Sequence, residues 1–415
     1  MEKYSVIVIG AGASGLMAAG RAAEKGAKVL LLEKMKRPGR KLMITGKGRC
    51  NITNDLPVDE FITKVFPNGR FLRNVFSQYY NEQFLALMNK LGVKTVLERG
   101  GRYFPESQLA NDVVEALQNW VRKLGVEIRN DYNVDSLWIE EGKLKGVQIQ
   151  QKKIKAKYVI VATGGLSYPV TGSTGDGYKL AESVGHTIVS TRPALVPLET
   201  DSLLPSKLAK LALKNVNAIV WQNGKKLAEE FGEMGFAPSA LTGPIIITLS
   251  RIVVDAINEG KEIEITIDLK PALDDKKLDN RFLRDLEANP KKKFKSIFST
   301  WLPSQMVPVL LDYLGLDGDK ECNQITAKER KEIRKAFKSL PFKITGYQSW
   351  DKAVITAGGV KTSEINPKTL ESKKMPGLYF AGEVIDVDAV TGGFNLQIAW
   401  STGWVAGNAV EVNKE

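Results

Sequence analysis

Apolar residues follow two styles along this chain. Ser5–Ile9 and Lys28–Leu32 are unbroken runs of Val, Ile and Leu, the pattern of strands buried on both faces. Between them, Ser14–Lys25 is Ala-rich with helical spacing, and Gly26 is its stop. Strand, helix and strand within about 30 residues predict a βαβ unit on a parallel sheet. Helical periodicity covers Phe71–Leu91 and Leu109–Leu124. Val126–Ile128, Val134–Glu140 and Leu144–Ile149 read as short strands, with a turn at Glu141-Gly142, and Tyr158–Ala162 is again a fully buried strand.

The second style starts near Pro193. Ala218–Trp221 and Glu262–Ile267 alternate apolar with polar residues, which predicts a half-buried antiparallel sheet or barrel. Pro271–Phe342 is helical and rich in charge. Buried-strand runs return from Lys352 and lead into a Gly-rich helix, Gly393–Val412. The predicted organisation is an α/β domain, residues 1–192 plus 344–415, interrupted by a β-rich insertion (193–270) and a helical one (271–343).

Composition removes much of enzyme chemistry. The 415 residues contain two cysteines, Cys50 and Cys322, and one histidine, His186. Disulfide frameworks, Cys-rich metal sites, multi-His metal centres and a Ser–His–Asp triad are thereby disfavoured, so no metal is expected. The formal charge of +12 favours polyanionic partners. Seven basic residues and no acid lie between Lys34 and Asn54, interleaved with glycines, which suits an anionic ligand. A second concentration, Lys291, Lys292, Lys293 and Lys295, is either a solvated face or a contact for nucleic acid. The longest apolar stretch, Val6–Gly20, is too short and too Gly-rich to span a bilayer, and no signal-like region precedes the first strand. A cytoplasmic protein without a membrane partner is expected.

The chemistry begins at Gly10-Ala11-Gly12-Ala13-Ser14-Gly15, directly after a strand and opening a helix. There Gly10 permits a tight turn, Gly12 a close approach to a pyrophosphate, and Gly15 helix–strand packing. The helix N-terminus offers free N–H groups to phosphate oxygens. Glu33 ends the second strand, where an acid accepts from the ribose hydroxyls of a cofactor lacking a 2′-phosphate, FAD or NAD. FAD is favoured by the far end of the chain. Leu378–Phe380 runs into Gly382-Glu383, followed by Asp386 and then by Gly393-Phe394-Asn395-Leu396 opening a helix. Such a helix directs its N-terminus at a flavin pyrimidine ring. Thr163-Gly164-Gly165 is the third piece of the cradle. Thr171–Gly177 reads as a packed turn, Trp400 and Trp404 as core residues, and His186 as a turn or core residue. Lys34, Arg40, Lys41, Gly46, Gly48, Arg49 and Val134 complete the candidate cofactor contacts.

The run from Gly39 to Asn54, GRKLMITGKGRCNITN, resembles the signature of the HI0933-like bacterial flavoproteins, also called the YhiN family. The fingerprint at Gly10, Ala162–Gly165, Thr356–Val360 and the Gly382–Gln397 ending fit as well, so the resemblance spans essentially the whole chain. One stretch departs from it. Members often carry Phe-Thr-His-x-Gly-x-Ser-Gly-Pro, whereas here Phe236–Pro244 reads FAPSALTGP, and no role for that His transfers.

The resemblance implies a two-dinucleotide-binding-type FAD fold with barrel-like and helical subdomains, non-covalent FAD, and oxidoreductase activity. It further implies reduction of a uridine in 23S ribosomal RNA to dihydrouridine, with hydride from flavin N5. On that reading Cys50 is the candidate acid, Asn51 or Arg49 holds the uracil carbonyls, and ribosomal RNA meets the basic insertion. An amine oxidase of the aminoacetone type and a flavin-bound protein without turnover are the alternatives. Only one dinucleotide fingerprint is present, so the electron donor is transiently bound NAD(P)H or another small-molecule reductant.

Overall fold

The computed structural model describes residues 2–411, which divide into two compact units, 2–193 with 350–411 and 194–349. The first unit is built on a parallel sheet in which Lys3–Ile9 is central, flanked by Val29–Leu32 and Lys152–Val161. Glu127–Arg129 extends one side, and Leu378–Phe380 pairs parallel with the C-terminal half of Lys152–Val161. The N-terminal half of that long strand instead pairs antiparallel with Lys143–Ile149, which continues to Ser136–Glu140 through the predicted Glu141-Gly142 turn. Val6, Ile7 and Val8 are wholly buried, as strands covered on both faces must be.

Two helices cover the sheet beside the nucleotide fingerprint, and their contact is unusually close. The opening helix, Ala13–Glu24, and the closing helix, Phe394–Ala409, meet through glycines. A Cβ on Gly403 would stand 2.2 Å from the Ser14 carbonyl oxygen, and one on Gly407 would stand 2.3 Å from that of Ala18. Backbone therefore lies on backbone, and the register Ser14–Gly403, Ala18–Gly407 makes the helices parallel. Trp400 locks the closing helix from its other side. Its indole stacks on Phe84 at 4.4 Å between centroids, and its Nε1 donates to the Ile52 carbonyl at 3.0 Å.

The periodicity from Phe71 to Leu91 resolves into a 3₁₀ turn at Gly69–Leu72, a short helix at Arg73–Phe76 and a longer one at Asn81–Lys90. The break comes where the Tyr80 N–H is taken by the Gln83 side chain at 2.8 Å, starting a new helix. His186 is buried, with Nδ1 3.0 Å from Glu364 and Nε2 2.6 Å from Ser372, and is a core residue.

The second unit is a closed six-stranded barrel of Leu198–Thr200, Ala240–Thr242, Lys225–Ala237, Ala212–Gln222, Ile263–Asp268 and Leu340–Tyr347. The boundary expected at 343/344 falls inside its last strand. The expected division into separate β-rich and helical insertions also differs from the structure, because both share one core. Phe282, Phe298, Trp301 and Phe337 of the helices belong to the same buried cluster as Ile265 and Phe342 of the barrel. A helix, Pro244–Asn258, went unrecognised in the β-rich stretch. Its Ile-Ile-Ile-Thr run has strand composition, yet Pro244 suits a first helical turn and Ile245, Leu249 and Val253 recur at a spacing of four.

The glycine contact generates a direct test. Gly403→Val should destabilise the flavin-free protein by about 1–3 kcal/mol or more, because backbone cannot retreat as a side chain does. Urea unfolding of purified apoprotein measures it, and an unchanged midpoint would show that the helices are not so closely packed.

Candidate functional site

The three glycines of the fingerprint are required for different reasons. Gly10 has φ of +97°, and a Cβ there would meet the Ala162 carbonyl oxygen at 2.5 Å. At Gly15 a Cβ would fall 1.8 Å from the Gly10 oxygen. Gly12 is the exception. Its φ of −81° and ψ of −163° are open to any residue, and a Cβ there would meet nothing within 4 Å. Neither backbone strain nor a neighbour demands glycine at this position. Space is kept clear at the N-terminus of a helix that has no side-chain cap and no acid in its first turn. A helix start of this kind favours a phosphate or another anion.

Glu33 closes the adjacent strand. Its Oε2 accepts from the Ala11 N–H at 2.9 Å and its Oε1 from the Met35 N–H at 2.8 Å, leaving a lone pair on each oxygen for a hydroxyl. Burial pushes this carboxyl above its ordinary range, while the Met35 and Ala11 N–H groups pull it back. Val134, expected against the cofactor, is buried in the core cluster.

The far end of the cradle lies along the closing helix. Gly403 sits against Ser14, and Phe394 precedes it by nine residues, so the closing helix starts about 13 Å beyond the opening one at 1.5 Å per residue. Its first turn also lacks a side-chain cap and an acid. Gly393 has φ of +95° and rests on Thr53, where a Cβ would fall 2.5 Å from the carbonyl. Asn51, in the amide orientation that satisfies both ends, accepts from the Gly393 N–H at 3.0 Å and donates to the Thr53 oxygen at 3.3 Å. Thr53 Oγ1 donates to Gln397 at 2.6 Å. The GRCN loop thus fixes the start of the helix. The side chains of its first residues look elsewhere: Phe394 packs on Phe61, and Asn395 brackets the Ala389 peptide at 2.9 and 2.8 Å. Only backbone groups of Phe394, Asn395 and Leu396 remain for a ligand.

Between the two helix starts lies a polar cluster. Gly382 has φ of +79°, and a Cβ there would meet Ser14 Oγ at 2.4 Å. The next residue, Glu383, accepts from Lys41 Nζ at 2.7 Å, Ser167 Oγ at 2.7 Å and the Thr356 N–H at 2.9 Å. Lys41 also donates to Ser167 at 2.6 Å. Asp386 is buried and accepts from Asn68 at 3.2 Å. Lys34 is held by Asp176 and Thr174 in the turn after Thr163-Gly164, which packs as expected. Arg40 is exposed, as is Lys47 between Gly46 and Gly48.

The catalytic assignments change. Cys50 has no exposed surface and belongs to the core cluster, and burial pushes its thiol up to about 12. A group without an open face does not deliver a proton to a substrate, so its place in the GRCN loop is structural. Arg49 is committed too. Its guanidinium makes a two-point pair with Glu98 at 3.1 and 3.0 Å, donates to Gln108 at 2.7 Å and lies 3.9 Å over the Phe104 ring. Asn51 is occupied by Gly393 and Thr53. Cys50 is closed to a uracil ring, and Arg49 and Asn51 are already engaged in holding the loop and the helix start. Among the described residues no cluster of three or more His, Cys, Asp or Glu could hold a metal, and no helix is long and apolar enough to cross a membrane.

The family model of the HI0933-like protein Rossmann domain matches residues 4–409. The chain belongs to this family. It is similar to a 3-dehydro-bile acid delta(4,6)-reductase of Clostridium scindens, with 33% identity over 97% of this chain and 98% of that one. A ribosomal RNA dihydrouridine synthase of Escherichia coli is 30% identical over 97% of each chain. Among solved structures, 3-ketosteroid-delta4-(5alpha)-dehydrogenase from Rhodococcus jostii RHA1 superposes with a TM-score of 0.53 at 14% identity, covering 99% of this chain and 97% of that one, a likeness of fold. This chain is accordingly an FAD-dependent oxidoreductase of Rossmann type.

The cysteine environment sets a measurable expectation. Burial holds the Cys50 thiol well above the usual cysteine range, so it is almost wholly un-ionised at pH 8. Cys322 is buried as well. Ellman's reagent at pH 8 should therefore find almost no reactive thiol in native protein and two after denaturation; rapid native labelling at Cys50 would refute its burial.

Proposed function

We propose that the cradle holds FAD non-covalently and that the enzyme reduces a carbon–carbon double bond conjugated to a carbonyl. The clear space at Gly12 carries the cofactor reading, since neither backbone strain nor a neighbouring atom demands glycine there. On this reading the N–H groups after Gly12 and Ala13 take the pyrophosphate and Glu33 the adenosine ribose. Glu383, oriented by Lys41 and Ser167, faces the polyol chain, and the first turn of the closing helix takes the pyrimidine edge. Non-covalent attachment follows from the side chains that could form a bond to flavin. Cys50 is sealed in the core, and both ring nitrogens of His186 are engaged with Glu364 and Ser372.

Bound in reduced form, FAD supplies a hydride. The two whole-length relatives act on different molecules with one electronic pattern. Uridine becomes dihydrouridine by saturating a bond conjugated to a carbonyl, and a 3-dehydro-delta(4,6) bile acid carries the same conjugation. Hydride adds to the carbon remote from the carbonyl and a proton to the nearer one. The electrons would have to come from a two-electron donor, NAD(P)H or another small-molecule reductant. The chain's task is to hold the carbonyl and shield the flavin from bulk water. Partial positive charge at the start of the closing helix favours negative charge developing beside it.

Of the two substrate classes we favour a uridine in ribosomal RNA. The +12 charge supports it, and the excess sits in the cofactor unit. Residues 194–349 hold 24 Lys and Arg against 21 Asp and Glu, while the rest of the chain holds 35 against 26. The lysine run expected to meet RNA is half neutralised, because Lys293 and Lys295 both pair with Asp319, at 2.7 and 2.8 Å. The insertion is therefore not where the excess charge lies.

Two outcomes are expected. Gly12→Val should lose FAD at least tenfold while the apoprotein unfolds within about 1 kcal/mol of the parent, because a Cβ there meets nothing within 4 Å and the remaining cost is that of a poorer helix N-cap. Retained FAD in that variant would remove the phosphate role. In anaerobic single turnover, reduced enzyme should be reoxidised by ribosomal RNA lacking the modification, with dihydrouridine appearing by mass spectrometry. Reoxidation only by a 3-oxo-4,6-diene steroid would assign the other substrate class.

A further inference from the structure

The small sheet of Thr53–Asn54, Arg102–Pro105 and Thr95–Glu98 lies next to the start of the closing helix. Two contacts make this so. Gly393 rests on Thr53, and Asn54 Nδ2 donates both to the Gly392 oxygen at 3.0 Å and to the Gly100 oxygen at 3.2 Å. One buried amide therefore ties the glycine loop that opens the closing helix to the turn Arg99-Gly100-Gly101-Arg102. Gly100 and Gly101 have φ of +80° and +70°, so the turn is built for glycine. The Asp55 N–H donates to the Gly101 oxygen at 2.8 Å and fixes it further.

The cations on this turn are uncommitted. Among the described residues Arg99, which is exposed, pairs with no carboxylate, and Arg102 donates from Nε to the Arg99 oxygen at 3.0 Å. The neighbouring acids are engaged elsewhere: Glu98 with Arg49, and Asp55 with the Tyr103 hydroxyl at 3.1 Å. Lys47, exposed on the loop whose Gly46 packs against Phe104 of the same sheet, adds a third free cation. Two cations on a rigid turn and a third on the adjoining loop, none with an acidic partner among the described residues, serve no folding purpose that the structure shows. They match a chain of phosphates leading away from a base held at the flavin.

We propose that Arg99 and Arg102, with Lys47, grip the phosphodiester backbone of single-stranded RNA flanking the uridine to be reduced. The inference rests on the RNA reading of the site and adds where the polyanion is held. These are positioning residues, and their loss acts on binding. Each arginine that meets one phosphate contributes about 0.7 to the slope of log affinity against log salt. Arg99→Ala with Arg102→Ala should flatten that slope by about 1.4 and raise the RNA concentration for half-maximal reoxidation at least tenfold. The limiting rate at saturating RNA and the bound flavin should stay within about twofold. Arg99→Lys with Arg102→Lys keeps the charge and should restore most of the affinity.

The experiment is single-turnover reoxidation of reduced holoenzyme by a ribosomal RNA fragment at several salt concentrations, with flavin content measured on each variant. Unchanged half-saturation and slope in the alanine variant, with parent enzyme active on RNA, would overturn this placement and leave the substrate reading intact. So would a loss found only in Lys291→Glu with Lys292→Glu, which would move the contact to the insertion. Parent enzyme that ignores RNA and is reoxidised by the steroid dienone would overturn both.

Discussion

The direct contact of two helix backbones is the constraint on which the site depends. With no Cβ at Gly403 or Gly407, the closing helix lies on the opening helix with its register fixed against Ser14 and Ala18. That register decides how far apart the two uncapped N-termini stand, about 13 Å at 1.5 Å per residue. Each end attracts negative charge, so the pair suits an elongated ligand that carries or develops negative charge toward both ends. A larger residue at either glycine would alter the spacing and the sheet packing together.

The same constraint explains the GRCN loop. A helix start without a side-chain cap must be held by something else, and here Asn51, Thr53 and Trp400 supply the holding contacts. Cys50 sits among them with φ of +60° and no exposure, as part of the mount. Its position in a distinctive motif made a chemical role attractive. A motif can be specific because a backbone shape is specific, and this loop is such a case. Arg49 makes the same point, since its charge is spent on Glu98 and Gln108.

Much of this was legible in the residues alone. The βαβ start, the positions of Gly10, Gly12 and Gly15, Glu33 at a strand end and the Gly-rich closing helix follow from apolar runs and glycine spacing, which are local signals. What was not legible depends on partners distant in sequence. Pairing of Lys293 and Lys295 with Asp319, of Lys41 with Glu383, and of Arg49 with Glu98 crosses from 24 to 342 residues, and no local pattern announces it. Helix Pro244–Asn258 was missed because β-branched residues dominate its first turn, and its burial in the barrel core outweighs that preference. The free cations of the Arg99–Arg102 turn gain significance only once Asn54 is seen to tie that turn to Gly392.

The most direct test of the cradle is flavin titration of apoprotein carrying Gly12→Val, followed by fluorescence and by unfolding of the same sample. The account predicts an apoprotein within about 1 kcal/mol of the parent in stability, with FAD affinity at least tenfold weaker. A variant that binds FAD as tightly as the parent would contradict it, because the space beside Gly12 would then belong to no phosphate.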